Sequence, residues 1–291
     1  MSKRIKVKVS KTAQLTCGAR ALSYYSKDNY YKSDDYLAPI FMSPFFVFIV
    51  KHFPNFASRF ASKGGGYEYL VSRTRVIDEI FKNHSKSFQQ VLILGAGFDS
   101  RAIRFNNELS HATIFELDAP ITQNTKINKL REKNIELPSN LKFIPVDFTE
   151  ESLPQKLDEV GFKKGITSLY ILEGLTCYLD PETINTIFDQ ISEYSGKDSM
   201  IVFDYIYSSV IRQENIYKDE ERVYQGAAKI GEKLTFGIEK GQIKQFLSKY
   251  KFELVDEFDS NRLGKKYYSN EKGKIFAPVI GIHSIVIARK I

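Results

Sequence analysis

The stretch Val91-Leu92-Ile93-Leu94-Gly95-Ala96-Gly97-Phe98-Asp99-Ser100 decides the fold. Its first four residues are apolar without polar alternation, which is typical of a short strand buried on both faces. Gly95-Ala96-Gly97 follows directly, and glycine lets a backbone turn tightly and approach a ligand closely because it carries no Cβ. At the carboxyl end of a parallel strand, such a turn lies where open α/β sheets bind their ligands.

Further apolar runs follow this stretch at regular intervals. They lie at 113–117, 141–146, 168–172 and 200–203, and helical patterns separate them at 100–109, 120–132, 149–160 and 181–194. A helix at 240–250, strands at 251–259 and 283–288, and a charged loop or hairpin at 261–276 complete the pattern. Strand–helix alternation predicts a mostly parallel α/β sheet with right-handed crossovers. The last two strands indicate that one antiparallel strand is added.

The chain divides by pattern at about residue 88. Residues 1–88 contain helical spacing at 13–26 and 67–83, with an aromatic-rich segment between them. Disordered tails rarely carry so many aromatic residues, so we expect this part to pack on the remainder of the chain. Residues 89–291 form the predicted core, with a polar, helical insertion near 206–236.

Composition excludes several classes of protein. Apolar residues make up 43% and charged residues 26% of the 291 residues, as in an ordinary globular protein. The net charge of +7 is spread out, and its densest basic run, at the amino terminus, is interpreted as a solvated end; it comprises Lys3, Arg4, Lys6, Lys8 and Lys11. No basic stretch forms a recognisable nucleic-acid module, so we expect no nucleic-acid partner.

Two cysteines give neither a disulfide framework nor a metal set, which fits a reducing compartment. The most apolar segment, 38–50, is too short to span a bilayer. A buried or lid-packing helix is the commoner use of such a segment, and a role at a membrane surface stays open. The expected location is the cytoplasm.

Acidic residues follow three of the predicted strands. Asp118 comes 23 residues after Gly95, where an acid can accept hydrogen bonds from a ribose diol. Asp147, followed by Phe148, could accept from the exocyclic amine of an adenine. Each of these two aspartates could instead cap the next helix. Glu173 could bind the amino group of an amino-acid moiety, or it could be an exposed loop acid.

These motifs together resemble the leucine carboxyl methyltransferase-like family, including its bacterial branch linked with polyketide-type O-methylation. The glycine motif extends over 90–102, and matching segments follow in the family's order over roughly residues 12–260. They are Thr12-Ala13, Arg20-Ala21, Asp35-Tyr36-Leu37-Ala38, Arg73-Thr74-Arg75-Val76-Ile77-Asp78, Phe115-Glu116-Leu117-Asp118-Ala119-Pro120 and Glu173-Gly174-Leu175-Thr176-Cys177-Tyr178-Leu179. The block at 34–36 lacks the family's usual proline.

The resemblance implies a class I fold that binds S-adenosylmethionine (SAM): a Rossmann-like, seven-stranded sheet with its last strand antiparallel, plus an amino-terminal helical lid. Carried over residue by residue, it implies the following roles. Arg75 would pair with the SAM carboxylate, Gly95, Ala96 and Gly97 would line the methionine part, Asp118 would hold the ribose, Asp147 and Phe148 the adenine, and Glu173 the methionine amino end. Tyr178 would lie near the methyl acceptor, although a packed core tyrosine is an equal alternative.

The implied activity is transfer of a methyl group to an oxygen of a small molecule or of a C-terminal carboxylate. None of the four histidines lies in a motif at a strand's carboxyl end. The lack of an obvious base favours a carboxylate over a hydroxyl acceptor, because a carboxylate is already ionised at pH 7. Lys32, Arg59 and Arg73 are candidate cations for binding it.

Two other functions compete with methyl transfer. A nicotinamide-dependent oxidoreductase would share the glycine turn and Asp118, but Ser100 stands where its third glycine is expected. The second alternative is a non-catalytic adaptor on a degenerate methyltransferase fold. The intact residues Arg75, Gly95, Gly97, Asp118 and Glu173 argue against it, because an adaptor would not need them. Neither the acceptor nor the oligomeric state follows from the sequence.

Overall fold

A computed structural model describes residues 8–148 and 150–291. Its seven strands form one sheet in the order β3-β2-β1-β4-β5-β7-β6. The strands are β1 (Gln90–Leu94), β2 (Thr113–Asp118), β3 (Leu141–Pro145), β4 (Ser168–Leu172), β5 (Met200–Ile206), β6 (Phe252–Phe258) and β7 (His283–Lys290). β7 runs antiparallel to both β5 and β6, and the other strands are mutually parallel. The predicted sheet, including its antiparallel last strand, is confirmed.

Twelve α-helices accompany the strands in the described part of the chain. They are α1 (Lys11–Tyr25), α2 (Pro44–His52), α3 (Pro54–Ala61), α4 (Gly66–His84), α5 (Arg101–Arg104), α6 (Pro120–Glu132), α7 (Leu153–Glu159), α8 (Pro181–Tyr194), α9 (Ser208–Arg212), α10 (Glu220–Lys229), α11 (Ile243–Lys249) and α12 (Ser260–Tyr267). Short 3-10 turns lie at Ala38–Phe41, Ser85–Ser87 and Thr176–Tyr178. α8 shows how local sequence sets a boundary: Asp180 accepts a hydrogen bond from the Thr183 N–H, and proline occupies the first helical position.

The core lies on both faces of the sheet because consecutive residues of a strand point to opposite sides. In β1, Leu92 and Leu94 pack into one apolar cluster, and Val91 and Ile93 pack into the other. All residues of β1, β4 and β5 are buried. The unbroken apolar runs in the sequence reflect this two-sided burial.

Three predicted elements differ from the structure. The helix expected at 100–109 is only the single turn α5, and turns follow it through a segment that contains Asn106 and Asn107, which are poor helix formers. The helix expected at 149–160 begins at Leu153 with Ser152 as its cap, and Thr149 lies outside the described residues. The loop expected at 261–276 begins instead with α12, capped by the Asp259 side chain.

The amino-terminal helices lie beside the carboxyl ends of the central strands. α1 contacts α2, α3 and α4, and the Ala13 side chain approaches the turn at Gly97. Of the basic run, Lys3, Arg4 and Lys6 lie outside the described residues. No helix in the described ranges has the length and apolar character needed to cross a bilayer. The division of the chain at residue 88 stays a prediction.

Candidate functional site

A cleft opens at the carboxyl ends of β1, β2 and β4. Its lining comes from the turn after β1, from Asp118 of β2, from residues 173–175 after β4, and from residues of α1 and α4. Its free volume is about 80 Å³, well below the roughly 300 to 1,000 Å³ of pockets that hold small molecules. Ser10, Thr12, Ala13 and Thr16 contribute to its lining, and at this volume a small molecule would fit only if part of the lining moved.

The turn after β1 requires glycine at two positions. Gly95 and Gly97 have φ angles of +66° and +52°, in the left-handed region that residues with a Cβ rarely adopt. A Cβ at Gly95 would lie 2.9 Å from a methyl carbon of Leu175, and one at Gly97 would lie 3.2 Å from the Ala13 Cβ. A side chain at either position would therefore crowd the bottom of the cleft, and glycine avoids this. Gly95, Ala96 and Gly97 all line it, as the sequence predicts.

Asp118 lies at the end of β2 with its carboxylate against this turn. Its Oδ2 accepts a hydrogen bond from the Gly97 N–H, and its Oδ1 accepts one from the Ala119 N–H at 2.6 Å. Burial raises the pKa of this carboxyl to about 6, against the lowering effect of the two N–H groups. α6 has Ala119, not Asp118, as its N-cap residue. Asp118 therefore lines the cleft and does not cap the helix.

Glu173, at the end of β4, is held between two arginines. Its Oε1 accepts from Nε of Arg73 at 3.0 Å, and its Oε2 accepts from Nη1 of Arg101 at 2.7 Å. Burial alone would raise the pKa of this carboxyl, but the guanidinium groups of Arg101 and Arg73 outweigh it and lower the pKa to about 2. Glu173 is therefore an ionised wall of the cleft and not an exposed loop acid.

The arginine of α4 that reaches the cleft is Arg73, and this corrects the placement expected for Arg75. Arg75 donates to the backbone carbonyls of Asn29 and Lys32 and lies in a separate surface depression. Arg73 is 5% exposed and borders the cleft. None of the described residues accepts a hydrogen bond from its Nη2, which leaves that group for a ligand.

The reason for the correction is helical periodicity. Residues 73 and 75 are two positions apart, so their side chains leave α4 on different faces. Arg73 shares its stripe with Ile77 and Ile80, which are buried, whereas Arg75 shares its stripe with Glu79, which is partly exposed. This signal is present in the sequence and could have identified Arg73. Of the candidate cations Lys32, Arg59 and Arg73, only Arg73 lines the cleft.

A chain of buried ion pairs extends beneath the cleft. From Glu173 it continues through Arg101 to Asp99 and Asp78, at 2.5 and 2.7 Å. From Asp78 it passes through Arg104 to Asp35, which also accepts from Nε of Arg20 in α1 at 2.8 Å. Burying a charge is costly unless it is paired and hydrogen-bonded. Each partner therefore fixes the next, and the network ties α1 and α4 to the glycine turn.

A second group of side chains closes the cleft where α1 meets the segment after α10. Glu232 is buried and accepts from the Lys11 N–H at 2.8 Å, from the Thr12 N–H at 3.3 Å and from the Ser10 hydroxyl at 3.1 Å. The Thr12 hydroxyl donates to the Tyr178 hydroxyl at 3.4 Å. Burial raises the pKa of the Tyr178 phenol. Tyr178 lines the cleft and is not fully buried.

Asp147 and Phe148 lie beside the cleft but do not line it. Both follow β3, which pairs with β2 so that Pro145 is opposite Asp118. The Phe148 ring is buried in the apolar core, and the Asp147 N–H donates to Glu151. Asp147 does not cap α7, because Ser152 does.

The structure adds site residues that the sequence analysis did not select. They are Thr12, Arg20, Asp99, Arg101, Asp204 and Glu232. Arg101 lies within the glycine motif at 90–102, so its position was a usable signal. Asp204 and Glu232 reach the site only because β5 lies beside β4 and because the chain folds back after α10, and no local pattern indicates either contact.

Comparison with known proteins identifies the family. Residues 15–192 match the model of the leucine carboxyl methyltransferase family. YktD of Bacillus subtilis, whose name places it among the SAM-dependent methyltransferases, is 27% identical over 199 residues, which cover 68% of this chain and 65% of YktD. A Mycobacterium marinum relative named in the same way is 32% identical over 47% of this chain and 46% of its own length. The chain thus spans less than two thirds of these curated relatives.

A solved structure supports the fold independently. A protein from Thermobifida fusca described as a methyltransferase superimposes with a TM-score of 0.60 at 13% identity, and the match covers 95% of this chain and 94% of that one. The family match spans more than half of the chain and includes the glycine turn, Asp118 and Glu173. The chain belongs to the leucine carboxyl methyltransferase family, with the class I fold of SAM-dependent methyltransferases.

Proposed function

We propose that this chain binds SAM in the cleft and transfers its methyl group to an oxygen atom of the acceptor, which is a carboxylate of a small molecule or a C-terminal carboxylate. The observation that carries the proposal is the cleft itself, in a member of this family. It combines a glycine turn, an acid at the end of β2 and an arginine–glutamate pair at the end of β4.

The lining residues suit the parts of SAM by their chemistry. Arg73 can donate its Nη2 hydrogens to the α-carboxylate, because guanidinium groups pair well with carboxylates. Glu173, ionised and adjacent, can accept from the α-ammonium. Gly95 and Gly97 allow close approach of the methionine part, and Asp118 can accept from the ribose diol. These assignments replace Arg75 with Arg73 and keep the other predicted contacts.

The adenine is expected near the end of β3. Asp147 and Phe148 follow that strand and adjoin the end of β2, so an adenine that extends from a ribose at Asp118 would reach them. They do not border the cleft at its volume in this structure. We infer that the adenine end forms fully when the lining, including residues 10–16, moves.

A carboxylate acceptor fits the ionisable groups of the cleft. Among the described residues that line it there is no histidine; the acids are Asp99, Asp118, Glu173 and Glu232, with Tyr178 as the phenol. Glu173, with a pKa of about 2, is a poor base, and Asp118 already accepts two backbone hydrogen bonds. An alcohol acceptor needs a base with a pKa near 7, whereas a carboxylate needs none.

The reaction would then depend on alignment more than on proton transfer. A carboxylate oxygen of the acceptor forms the new bond to the methyl carbon as the carbon–sulfur bond breaks, and that bond's electron pair returns to sulfur. Holding the two reactants in line supplies much of the rate enhancement. Residues 10–16, which contribute to the lining, would help to exclude water.

Radiolabelled SAM and a metabolite extract test this proposal. The purified chain should label a product whose label is released as methanol in mild base, as expected of a methyl ester, and thermal stability should rise with SAM and S-adenosylhomocysteine but not with NAD. A base-stable ether product, formed at a rate that rises through a pKa near 7, would show a hydroxyl acceptor. Stabilisation by NAD alone would contradict methyl transfer altogether.

A further inference from the structure

The helix pair α2–α3 presents an aromatic face to solvent. Five of its phenylalanines are between 53% and 75% exposed: Phe45, Phe48, Phe53, Phe56 and Phe60. Four of them form two neighbouring pairs along the two consecutive helices, with ring centroids 6.5 Å apart for Phe48 and Phe53 and 4.9 Å apart for Phe56 and Phe60. Exposed apolar side chains are normal when scattered singly, but a contiguous group marks an interaction surface.

The other face of the same helices is fully used. Val50 is buried, and Phe46 and Ala57 pack with it against residues of α1 and α4. The five exposed rings therefore do not result from a loosely attached segment. They lie on the outer side of a helix pair that is fixed to the domain through its inner side.

The charge around these rings has one sign. Lys51, Arg59 and Lys63 are exposed on or beside the two helices, and Lys63 Nζ lies 4.9 Å from the centre of the Phe60 ring. Between Asp35 and Glu68 the sequence contains no acidic residue at all. The surface is thus aromatic and cationic, without a balancing carboxylate of its own segment.

We propose that the α2–α3 face binds the surface of an anionic lipid bilayer. Amphipathic helices with phenylalanine on one side and lysine or arginine around it lie in the plane of a membrane interface, with the rings among the upper acyl chains and the cations at the headgroups. The charge argues against a second copy of the chain as the occupant, because the same three cations would meet across the contact. Each basic residue near such a surface adds to the attraction.

α1 connects the proposed membrane contact with the cleft. α1 contacts both α2 and α3, with Ala19 and Leu22 in the shared apolar cluster, and residues at its start line the cleft. A bilayer bound at the outer face of α2–α3 therefore lies against the helices that hold α1. The proposal does not depend on the identity of the methyl acceptor.

Vesicle co-sedimentation of the purified full chain tests the proposal. Vesicles of phosphatidylcholine mixed with phosphatidylglycerol should bind the chain on the order of 100-fold more tightly than phosphatidylcholine alone, because three cations each contribute a factor of about five. Raising the salt concentration should weaken the binding, since exposed charges are screened. Equal binding to both vesicles, or binding to neither, would overturn the proposal.

Substitutions on the exposed face distinguish it from other surfaces. Phe45→Ser with Phe48→Ser, Phe56→Ser and Phe60→Ser should abolish vesicle binding, and Lys51→Gln with Arg59→Gln and Lys63→Gln should remove the preference for anionic lipid. Matched controls change residues exposed elsewhere: Ile216→Ser with Val255→Ser, and Lys244→Gln with Lys249→Gln and Lys272→Gln.

The control variants should bind vesicles like the unmodified chain, and all variants should keep its thermal unfolding temperature. Equal losses in the control and the α2–α3 variants would contradict a specific face. Light scattering tests the competing explanation, which is self-association of the chain through this face. If the chain self-associates, the phenylalanine variant alone abolishes this, and no vesicle binds, then the face is an interface between copies and the membrane proposal is wrong.

Discussion

Nη1 of Arg73 lies 2.7 Å from Oδ2 of Asp204, and the two side chains are only 5% and 6% exposed. Asp204 belongs to β5, and its other oxygen accepts from the Gly174 N–H at 2.6 Å. Tyr69, one turn earlier in α4, donates to the same carboxylate at 2.9 Å. Asp204 therefore links α4 to the turn after β4, and it orients the arginine whose Nη2 has no acceptor among the residues that the structure describes.

Replacing this arginine should weaken SAM binding selectively. Arg73→Lys keeps the positive charge but loses the planar set of donors, so we expect the dissociation constant of SAM to rise about 10- to 100-fold, the value of a hydrogen bond between charged groups. Isothermal titration calorimetry measures the change. Arg75→Lys is the matched control on the same helix, and a larger effect at 75 than at 73 would restore the original assignment.

The pH dependence of SAM binding should reflect Asp118. If its ionised carboxylate accepts from the ribose, the dissociation constant should be constant above pH 7 and rise about tenfold by pH 5, because the pKa is about 6. Asp118→Asn should bind more weakly at pH 7 and lose this dependence. A retained pH dependence in the variant would assign it to another group.

The Asp118 carboxyl should also affect the free energy of unfolding, and its contribution should fall with rising pH, whereas SAM binding should strengthen. Its pKa in the folded chain is raised above the ordinary value of 3.8, so the folded state binds the proton more tightly than the unfolded state does. Its contribution to stability is present below pH 4 and is lost as the pH rises through about 6. Comparing urea unfolding of the chain and of Asp118→Asn across this range isolates the contribution from those of other groups.

Tyr178 should separate acceptor chemistry from SAM binding. Its hydroxyl lies within the cleft beside Thr12. If it contacts the acceptor, Tyr178→Phe should lower kcat or raise the KM of the acceptor about tenfold, while the SAM dissociation constant stays within a factor of two, since one hydrogen bond contributes about 1 kcal/mol. Unchanged kinetics would indicate that this tyrosine only packs.

Glu232 should control the opening of the cleft. Glu232→Ala removes the acceptor for the backbone N–H groups of Lys11 and Thr12, so the amides of residues 10–16 should exchange with deuterium roughly 5- to 30-fold faster, for a loss of about 1–2 kcal/mol. Glu221→Ala removes an exposed acid of α10 and is the control. Unaltered exchange in the first variant would show that Glu232 does not hold this segment.

Local patterns in the sequence predict most of the fold. Buried parallel strands produce unbroken apolar runs, and the left-handed turn after β1 requires glycine, so both features can be recognised without any partner. Helix starts such as Asp180-Pro181 are likewise local. α12 was missed because its cap, Asp259, lies at the end of a strand in a charged stretch with few apolar residues.

The positions of the cleft residues were predicted in part. Those that local patterns indicate were found, and those that depend on contacts between distant segments were not. By itself the sequence placed the glycine turn, Asp118 and Glu173 together at one edge of the sheet, because the carboxyl ends of parallel strands meet there. Only the tertiary structure decided that Arg73 and not Arg75 reaches the cleft, that Asp204 orients Arg73, and that Glu232 holds the start of α1. These contacts join segments that are distant along the chain, so they depend on strand order and helix orientation, which no short stretch of sequence encodes.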